Sequence, residues 1–188
     1  DYLGYPFSIS ETFQQRNTNT SIEGSLERLE NIKNTALKHR KELVVYLSTG
    51  FGNHYGDLWN KDIVLQWIER LKQEFDIKIL ALSDTVGAAT PQLLSELLHN
   101  VIPEFRLHTT PDTYAEKVKA AYDAGCRRFD GAIRGFGGCP MAEDELVGNM
   151  PTEKMIDWFE TQNIPTHINK QALQEAIYQS NYVFNKTK

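Results

Sequence analysis

Two residues of a short apolar segment, Arg106 and His108, are of types that do chemistry and are spaced to act together. They lie two positions apart in Phe105-Arg106-Leu107-His108. If this segment is a strand, both side chains face the same side of the sheet. The imidazole of His108 could bind a metal ion, whereas Arg106 stays protonated and has no lone pair to offer. The alternative is a histidine that is hydrogen-bonded at the end of a strand.

The segment Gly135-Phe136-Gly137-Gly138-Cys139-Pro140 is a second candidate. Its glycines give the backbone freedom to move or to approach a ligand closely. The thiol of Cys139 could act as an acid, a base or a nucleophile if its pKa were lowered. This pattern indicates a mobile catalytic loop, and the alternative is a glycine-rich connection with an incidental thiol. We expect the other cysteine, Cys126, to pack as a small buried residue.

Asp84 and Asn149 are further candidates, and each has a structural alternative. Asp84 follows an apolar run and is either a site residue or the residue that forms an Asx turn. Asn149 could offer its carbonyl oxygen to a hard cation, or it could cap a helix that begins at Pro151. In parallel α/β folds the active groups gather at the carboxyl ends of the strands. The positions directly after apolar runs are therefore the ones to inspect.

Short apolar runs, polar loops and amphipathic stretches at helical spacing alternate along the chain, which is typical of a βα repeat. Near-continuous apolar strands separated by helices predict a parallel sheet, either doubly wound or closed into a barrel. No linker or low-complexity tract interrupts the 188 residues, so we expect a single domain over 1–188. The five predicted strands are Tyr2–Ile9, Leu43–Leu47, Ile77–Leu82, Phe105–His108 and Arg127–Ile133.

Capping residues and apolar periodicity locate the helices between these strands. Thr20 and Glu23 form a capping box at the start of the first predicted helix. The apolar residues that follow Asn60 fit a period of 3.6 residues most closely, which predicts a helix there. The remaining helices are predicted from Thr90-Pro91, over Thr113–Gly125, over Pro151–Thr161 and over Asn169–Phe184.

Composition excludes several classes of function. The chain has 20 Lys and Arg against 25 Asp and Glu, a net charge of -5, and it has no basic run that could track phosphates, so nucleic acid is not an expected partner. Its apolar stretches fall short of the ~20 residues that cross a bilayer, so we expect no membrane partner. Its two cysteines are too few for a disulfide framework. This favours a reducing compartment, and we expect the cytoplasm.

Together, these segments resemble the hydroxymethylglutaryl-CoA lyases, within a group of metal-dependent lyases and synthases built on a TIM barrel. Each motif is weak alone, but their order and spacing are specific, and they run over most of the chain. The sequence of residues 129–133, Phe-Asp-Gly-Ala-Ile, resembles that of a bacterial branch of the family. The motifs are Ser8-Ile9-Ser10-Glu11-Thr12-Phe13, Leu82-Ser83-Asp84-Thr85-Val86-Gly87 with Thr90-Pro91, the His108 segment with Asp112-Thr113-Tyr114, Gly135 to Pro140, and Gly148-Asn149 with Thr152-Glu153.

The resemblance implies cleavage of an acyl-CoA thioester, 3-hydroxy-3-methylglutaryl-CoA, to acetyl-CoA and acetoacetate, with Mg²⁺ or Mn²⁺ polarising the substrate oxygens. Cys139 then serves acid/base chemistry at the departing acetyl-CoA carbanion. His108 matches the second histidine of a metal-binding pair, and Asn149 matches a metal-ligating asparagine. Asp84 matches an acidic residue close to the metal, and Glu153 a residue that supports the site.

The chain also departs from the family pattern. The family's first barrel strand, which carries an Asp ligand beside an Arg, has no counterpart here. We therefore expect a partial TIM barrel of about five βα units followed by C-terminal helices, with about three units absent from the front of the eight. Arg106 stands where the family has the first histidine of its pair, so two of four protein ligands are missing. Arg106, Gly137 and Gly138 remain candidates for contacting or supporting the substrate.

Two other functions stay open. One is a Claisen-type synthase of the same superfamily acting on a 2-oxo acid, against which the Cys139 loop argues. The other is a non-catalytic acyl-CoA-binding or assembly subunit that kept the scaffold and lost the metal. An open parallel sheet leaves two unpaired edges and an apolar barrel interior in water, which favours association through those edges. We therefore expect a homo-oligomer rather than a well-behaved monomer.

Overall fold

The sheet has five parallel strands. The computed structural model describes residues 1–100, 104–106, 113–137 and 148–184, with side chains for all of these except 99, 100 and 104–106. The strands lie side by side in chain order. They are β1 (Tyr2–Ser8), β2 (Glu42–Ser48), β3 (Ile79–Ser83), β4 (Glu104–Arg106) and β5 (Phe129–Asp130).

Strand register brings the strand ends to one level. Ser8 pairs with Ser48, and Arg106 pairs with Ser83 on one side and with Asp130 on the other. All five strands predicted from apolar runs are present, with bounds that differ by a few residues, and the predicted end of the fourth, residues 107 and 108, lies outside the described residues. The fifth was predicted too long, because Ile133 lies in a 3₁₀ turn, Ile133–Gly135, that follows β5.

Seven helices are present in the described part of the chain, and none of them is long and apolar enough to span a membrane. They are α1 (Glu11–Thr18), α2 (Ile22–Lys38), α3 (Lys61–Gln73), α4 (Pro91–Asn100), α5 (Tyr114–Asp123), α6 (Thr152–Thr161) and α7 (Lys170–Phe184).

The order of the strands decides between the two sheet types. A doubly wound sheet reverses its strand order at a switch point, whereas sequential right-handed crossovers place every helix on one face. On that face, the Phe7 ring packs 5.2 Å from Trp67 of α3. On the opposite face, the Tyr46 hydroxyl of β2 donates to Oδ2 of Asp130, the last residue of β5, at 2.8 Å. This contact bridges three strand spacings, about 14 Å on a flat sheet, so the sheet curls as in a partial barrel.

Most helix starts agree with the caps that the sequence indicates. Asn60 Oδ1 accepts from the Ile63 amide at 2.8 Å, and Thr90 Oγ1 accepts from the Leu93 amide at 3.2 Å. The capping box at Thr20 was wrong by one residue, because Ser21 is the N-cap of α2 and accepts from the Gly24 amide. The short helix α1 was not predicted, since only two of its eight residues are buried.

The hydrophobic core lies between the convex face of the sheet and the helices. Four side chains are fully buried there, those of Phe7, Leu47 and Leu82 from the strands and of Leu71 from α3. Burying each of them stabilises the folded chain by about 1.5–3 kcal/mol. The concave face is mixed in composition. Apolar Val44, Ile79 and Ala81 lie on it together with Pro6, Ser8, Tyr46, Ser48, Ser83 and Asp130. The expected apolar interior is therefore apolar only in part.

Candidate active site

Hydroxyl groups join the carboxyl ends of the first three strands. Ser8 Oγ and Thr49 Oγ1 share a hydrogen bond of 2.9 Å, and the Thr49 amide donates to Thr85 Oγ1 at 2.8 Å. All three residues are buried. Because buried hydroxyls and amides are costly when unpaired, these bonds fix the relative position of the three strand ends. They form a rigid polar floor at the end of the sheet where the candidate residues gather.

Asp84, directly after β3, is held by a buried ion pair. Its side chain is 0% exposed, and Lys117 Nζ of α5 donates to its Oδ2 at 2.7 Å. The Ala89 amide donates to Asp84 Oδ1 at 3.0 Å, and Lys117 Nζ also donates to the Gly87 carbonyl at 3.3 Å. Asp84 thus fixes the turn after β3 to α5. Its assignment as a catalytic residue remains a prediction.

Burial governs the ionisation of this carboxyl. Desolvation raises the pKa of Asp84 above its ordinary value, against the opposing attraction of Lys117 and the hydrogen bond from the Ala89 amide. A buried carboxylate is tolerated only when it is paired and hydrogen-bonded, as it is here. Lys117 was missed by sequence reasoning, because a lysine in an amphipathic helix is ordinarily exposed.

Asn149 faces the start of the glycine-rich segment. Its Nδ2 donates to the Phe136 carbonyl at 2.8 Å, and its backbone amide donates to the Gly135 carbonyl at 3.2 Å. Since Nδ2 is the donor of the amide, Oδ1 is the atom left for a cation or a substrate hydroxyl. Asn149 does not cap α6, whose N-cap is Pro151 without a side-chain bond, so the capping alternative was wrong.

The glycines of this segment fit closely against Asn149. Gly135 and Gly137 have φ of 66° and 89°, in the left-handed region that favours glycine. A Cβ on Gly137 would lie 2.8 Å from Asn149 Nδ2, and a Cβ on Gly135 would lie 2.8 Å from the Asn149 carbonyl oxygen. Neither position accepts a side chain without displacing Asn149.

Glu153 supports the same turn from α6. Its Oε2 accepts a hydrogen bond of 2.9 Å from the Arg134 amide. Arg134 has φ 58° and ψ 17°, a left-handed conformation that costs a residue with a Cβ about 1 kcal/mol or more. The carboxylate of Glu153 therefore helps to hold a backbone conformation that Arg134 would otherwise avoid.

A latch missed by sequence reasoning lies beside the end of β1. Asp57 accepts from Ser10 Oγ and from the amide and hydroxyl of Thr12, the last two at 2.9 Å. Ser10 is also the N-cap of α1. Burial alone would raise the pKa of Asp57, but the hydrogen bonds from Ser10 and Thr12 hold it below its ordinary value. Asp57 thus fastens the loop between β2 and α3 to the start of α1.

Several candidates lie outside the described residues or are described only in part. His108, Gly138 and Cys139 are outside the described ranges, and Arg106 is described by its backbone in β4. Within those ranges, no group of three His, Cys, Asp or Glu side chains converges as cation ligands would. The described residues offer Asn149 Oδ1 but do not by themselves make a metal site, and Asp84 is already paired with Lys117.

The fold and the site together define a class of protein. A parallel sheet that curls with its helices outside, and that carries its polar groups at the carboxyl ends of the strands, is part of a TIM barrel of the enzyme type. The chain belongs to the family described as HMGL-like, which it matches over residues 6–178.

Individual relatives point the same way. The hydroxymethylglutaryl-CoA lyase YngG of Bacillus subtilis is 34% identical over 179 residues, covering 90% of this chain and 58% of that protein. The crystal structure of the B. subtilis HMG-CoA lyase has a TM-score of 0.86 and 31% identity, covering 96% of this chain and 62% of the other. An Acinetobacter baumannii HMG-CoA lyase in complex with coenzyme A and 3-methylmalate has a TM-score of 0.86 and 26% identity, covering 96% and 61%. The chain thus spans less than two thirds of the length of each of these relatives.

Proposed function

We propose that this chain acts in the cleavage of 3-hydroxy-3-methylglutaryl-CoA to acetyl-CoA and acetoacetate, with a divalent cation such as Mg²⁺ or Mn²⁺. The observation that carries the proposal is the match to lyases across 90% of the chain. The fit of Gly135 and Gly137 against Asn149 supports it. That fit lays the Asn149 side chain against Phe136 and Gly137 of the glycine-rich segment.

The reaction is a retro-aldol cleavage. A general base takes the proton of the C3 hydroxyl, the C3–O bond becomes the carbonyl of acetoacetate as the C2–C3 bond breaks, and the electron pair of that bond stays on C2 as the enolate of acetyl-CoA. A proton delivered to C2 completes the products. In the proposal Cys139 supplies that proton, and Asn149 orients an oxygen of the substrate or of the cation shell. Glu153 keeps the turn that precedes Cys139 in place.

The cation would supply electrophilic stabilisation of the substrate oxygens. The proposed ligands are His108 and Asn149, and the described residues do not complete the set. Arg106 adds a fixed positive charge to the segment that contains His108, and like charges repel within ~4 to 6 Å. We therefore expect weak cation binding and slow cleavage, and we assign no proton-transfer step to the cation.

A product assay tests this function. The 188-residue chain is incubated with the thioester and Mn²⁺, and acetoacetate, acetyl-CoA and unreacted thioester are quantified. We expect slow, chelator-sensitive release of both products, which Cys139→Ser lowers by roughly two to four orders of magnitude.

Cys126→Ser is the matched control for this assay, because it changes a buried thiol that the proposal does not use. Condensation of acetyl-CoA with a 2-oxo acid would show the synthase instead. Thioester binding by folded chain without any product would show an acyl-CoA-binding subunit and contradict the proposal.

A further inference from the structure

The C-terminal helix α7 is joined to the glycine-rich turn through two aromatic rings. The ring of Phe184, the last residue of α7, stacks on the ring of Phe136 with centroids 4.3 Å apart and planes 25° apart. Offset stacking of this kind contributes about 0.5–1.5 kcal/mol beyond its buried area. The contact links the end of a helix to the residue that lies between Gly135 and Gly137.

Arg134 adds a second link to the same helix. Its guanidinium lies over the Phe136 ring, 4.9 Å from the centroid, and its Nη1 donates to Asn181 Oδ1 of α7. The Phe136 ring is therefore held by Phe184 and Arg134 together. We call these four residues, Arg134, Phe136, Asn181 and Phe184, the aromatic clasp.

The clasp controls a backbone atom at the candidate site. The carbonyl of Phe136 is the acceptor for Asn149 Nδ2 at 2.8 Å. The side-chain amide of asparagine can flip by 180°, which swaps the positions of its oxygen and its nitrogen. A carbonyl acceptor in a fixed position disfavours the flip, because only the nitrogen can donate to it. The ring contacts of Phe136 fix its backbone, and its backbone fixes which atom Asn149 offers.

We propose that Phe184 and Arg134 are positioning residues that set the orientation of the Asn149 amide, and that α7 is thereby part of the site. The inference rests on the proposed function, in which Asn149 Oδ1 contacts a cation or a substrate oxygen. Neither residue touches the reacting atoms. Their effect passes through the Phe136 carbonyl.

The test compares Phe184→Ala with Tyr182→Ala in the 188-residue chain. Tyr182 lies on the same last turn of α7 and is exposed, but its ring contacts Tyr178 rather than Phe136. Hydrogen exchange is followed by mass spectrometry in peptides covering 131–137 and 148–152. We expect Phe184→Ala to speed hydrogen exchange at the backbone amide of Asn149, which donates to the Gly135 carbonyl, about fivefold. That factor corresponds to the loss of one ring contact. Tyr182→Ala should leave the exchange rate unchanged.

The affinity for Mn²⁺ distinguishes a positioning role from a purely structural role, which would leave the affinity unchanged. The free ion is followed by electron paramagnetic resonance up to millimolar concentrations. Phe184→Ala should weaken binding about fivefold at temperatures where the variant is still folded, and Phe184→Tyr should restore it. In an Asn149→Ala background Phe184→Ala should have no further effect.

A second variant tests the clasp without changing α7, whose end Phe184→Ala could unfold. Arg134→Gly removes the guanidinium while it accepts the positive φ of this position, so the turn is kept and the clasp is opened. It should reproduce the effect of Phe184→Ala. Unchanged exchange at Asn149 in both variants would overturn the inference. Faster exchange in a chain that binds no Mn²⁺ would leave the coupling standing and count against the proposed function alone.

Discussion

At the scale of single residues, Asp84 and Lys117 form an ion pair that is buried in the described chain. Both side chains are almost wholly buried, with 0% and 5% exposure. Removing one partner of such a pair leaves an uncompensated charge, which costs more than removing both. The pair therefore affects stability as well as the turn after β3.

We expect Lys117→Met to lower the free energy of unfolding at pH 7 by about 3–5 kcal/mol. Loss of the ammonium removes the attraction that opposes the raised pKa of Asp84. The double variant Asp84→Asn/Lys117→Met should recover much of the loss, because it buries no charge. Urea unfolding of the four forms measures this coupling. A loss in the double variant equal to the sum of the two single losses would mean that the two side chains do not interact.

These residue contacts mark where sequence reasoning stops. Asp84 was identified because it follows an apolar run, but its partner lies 33 positions further along the chain. The bond from Asn149 to the Phe136 carbonyl has no sequence signal either, since a backbone acceptor has no residue type. Glycines at 135 and 137 were recognised, whereas the atom that excludes a side chain at each of them appears only in the fold.

At the scale of elements, apolar periodicity and caps predicted most of the fold. Five apolar runs became five strands because a strand buried on one or both faces must be apolar. Helix α1 escaped notice because it is short and lacks an apolar face. Its position depends instead on Ser10 and on Asp57, a residue of the loop between β2 and α3.

The Asp57 latch gives a pH dependence at this scale. Its pKa is lowered in the folded chain, so its contribution is present above the unfolded pKa of about 3.9 and is lost as pH falls through the folded value. We expect Asp57→Asn to lower stability by about 1–2 kcal/mol at pH 7.

The difference between the melting temperatures of the two forms should therefore be constant from pH 7 to about 4 and should shrink as the pH falls further toward 3. Asp62→Asn is the matched control, since Asp62 lies in the first turn of the neighbouring helix α3 and outside the latch. A difference between Asp57→Asn and the unmodified chain that stays constant down to about pH 3 would contradict the latch.

At the scale of the whole molecule, β1 and β5 are the outer strands of the described sheet. An outer strand presents unpaired amides and carbonyls to a second chain. We expect the 188-residue chain to associate at micromolar concentration, with a mass by light scattering above 21.5 kDa.

A charge on the edge should reduce this association. Leu3→Lys, on β1, should shift the chain toward monomer, and Leu58→Lys is the control because Leu58 is an exposed residue of a loop. A monodisperse, cooperatively melting monomer would show that the open edges do not drive association.

In the function proposed above, this chain cleaves 3-hydroxy-3-methylglutaryl-CoA with a cation whose binding Arg106 weakens. The most direct measurement is the rate of acetoacetate release by the unmodified chain and by Arg106→His, each with Mn²⁺ and again with a chelator. We expect slow, chelator-sensitive release that is faster in Arg106→His, because the substitution removes a positive charge and adds an imidazole ligand. No release from either folded form, or fast release that the chelator leaves untouched, would contradict it.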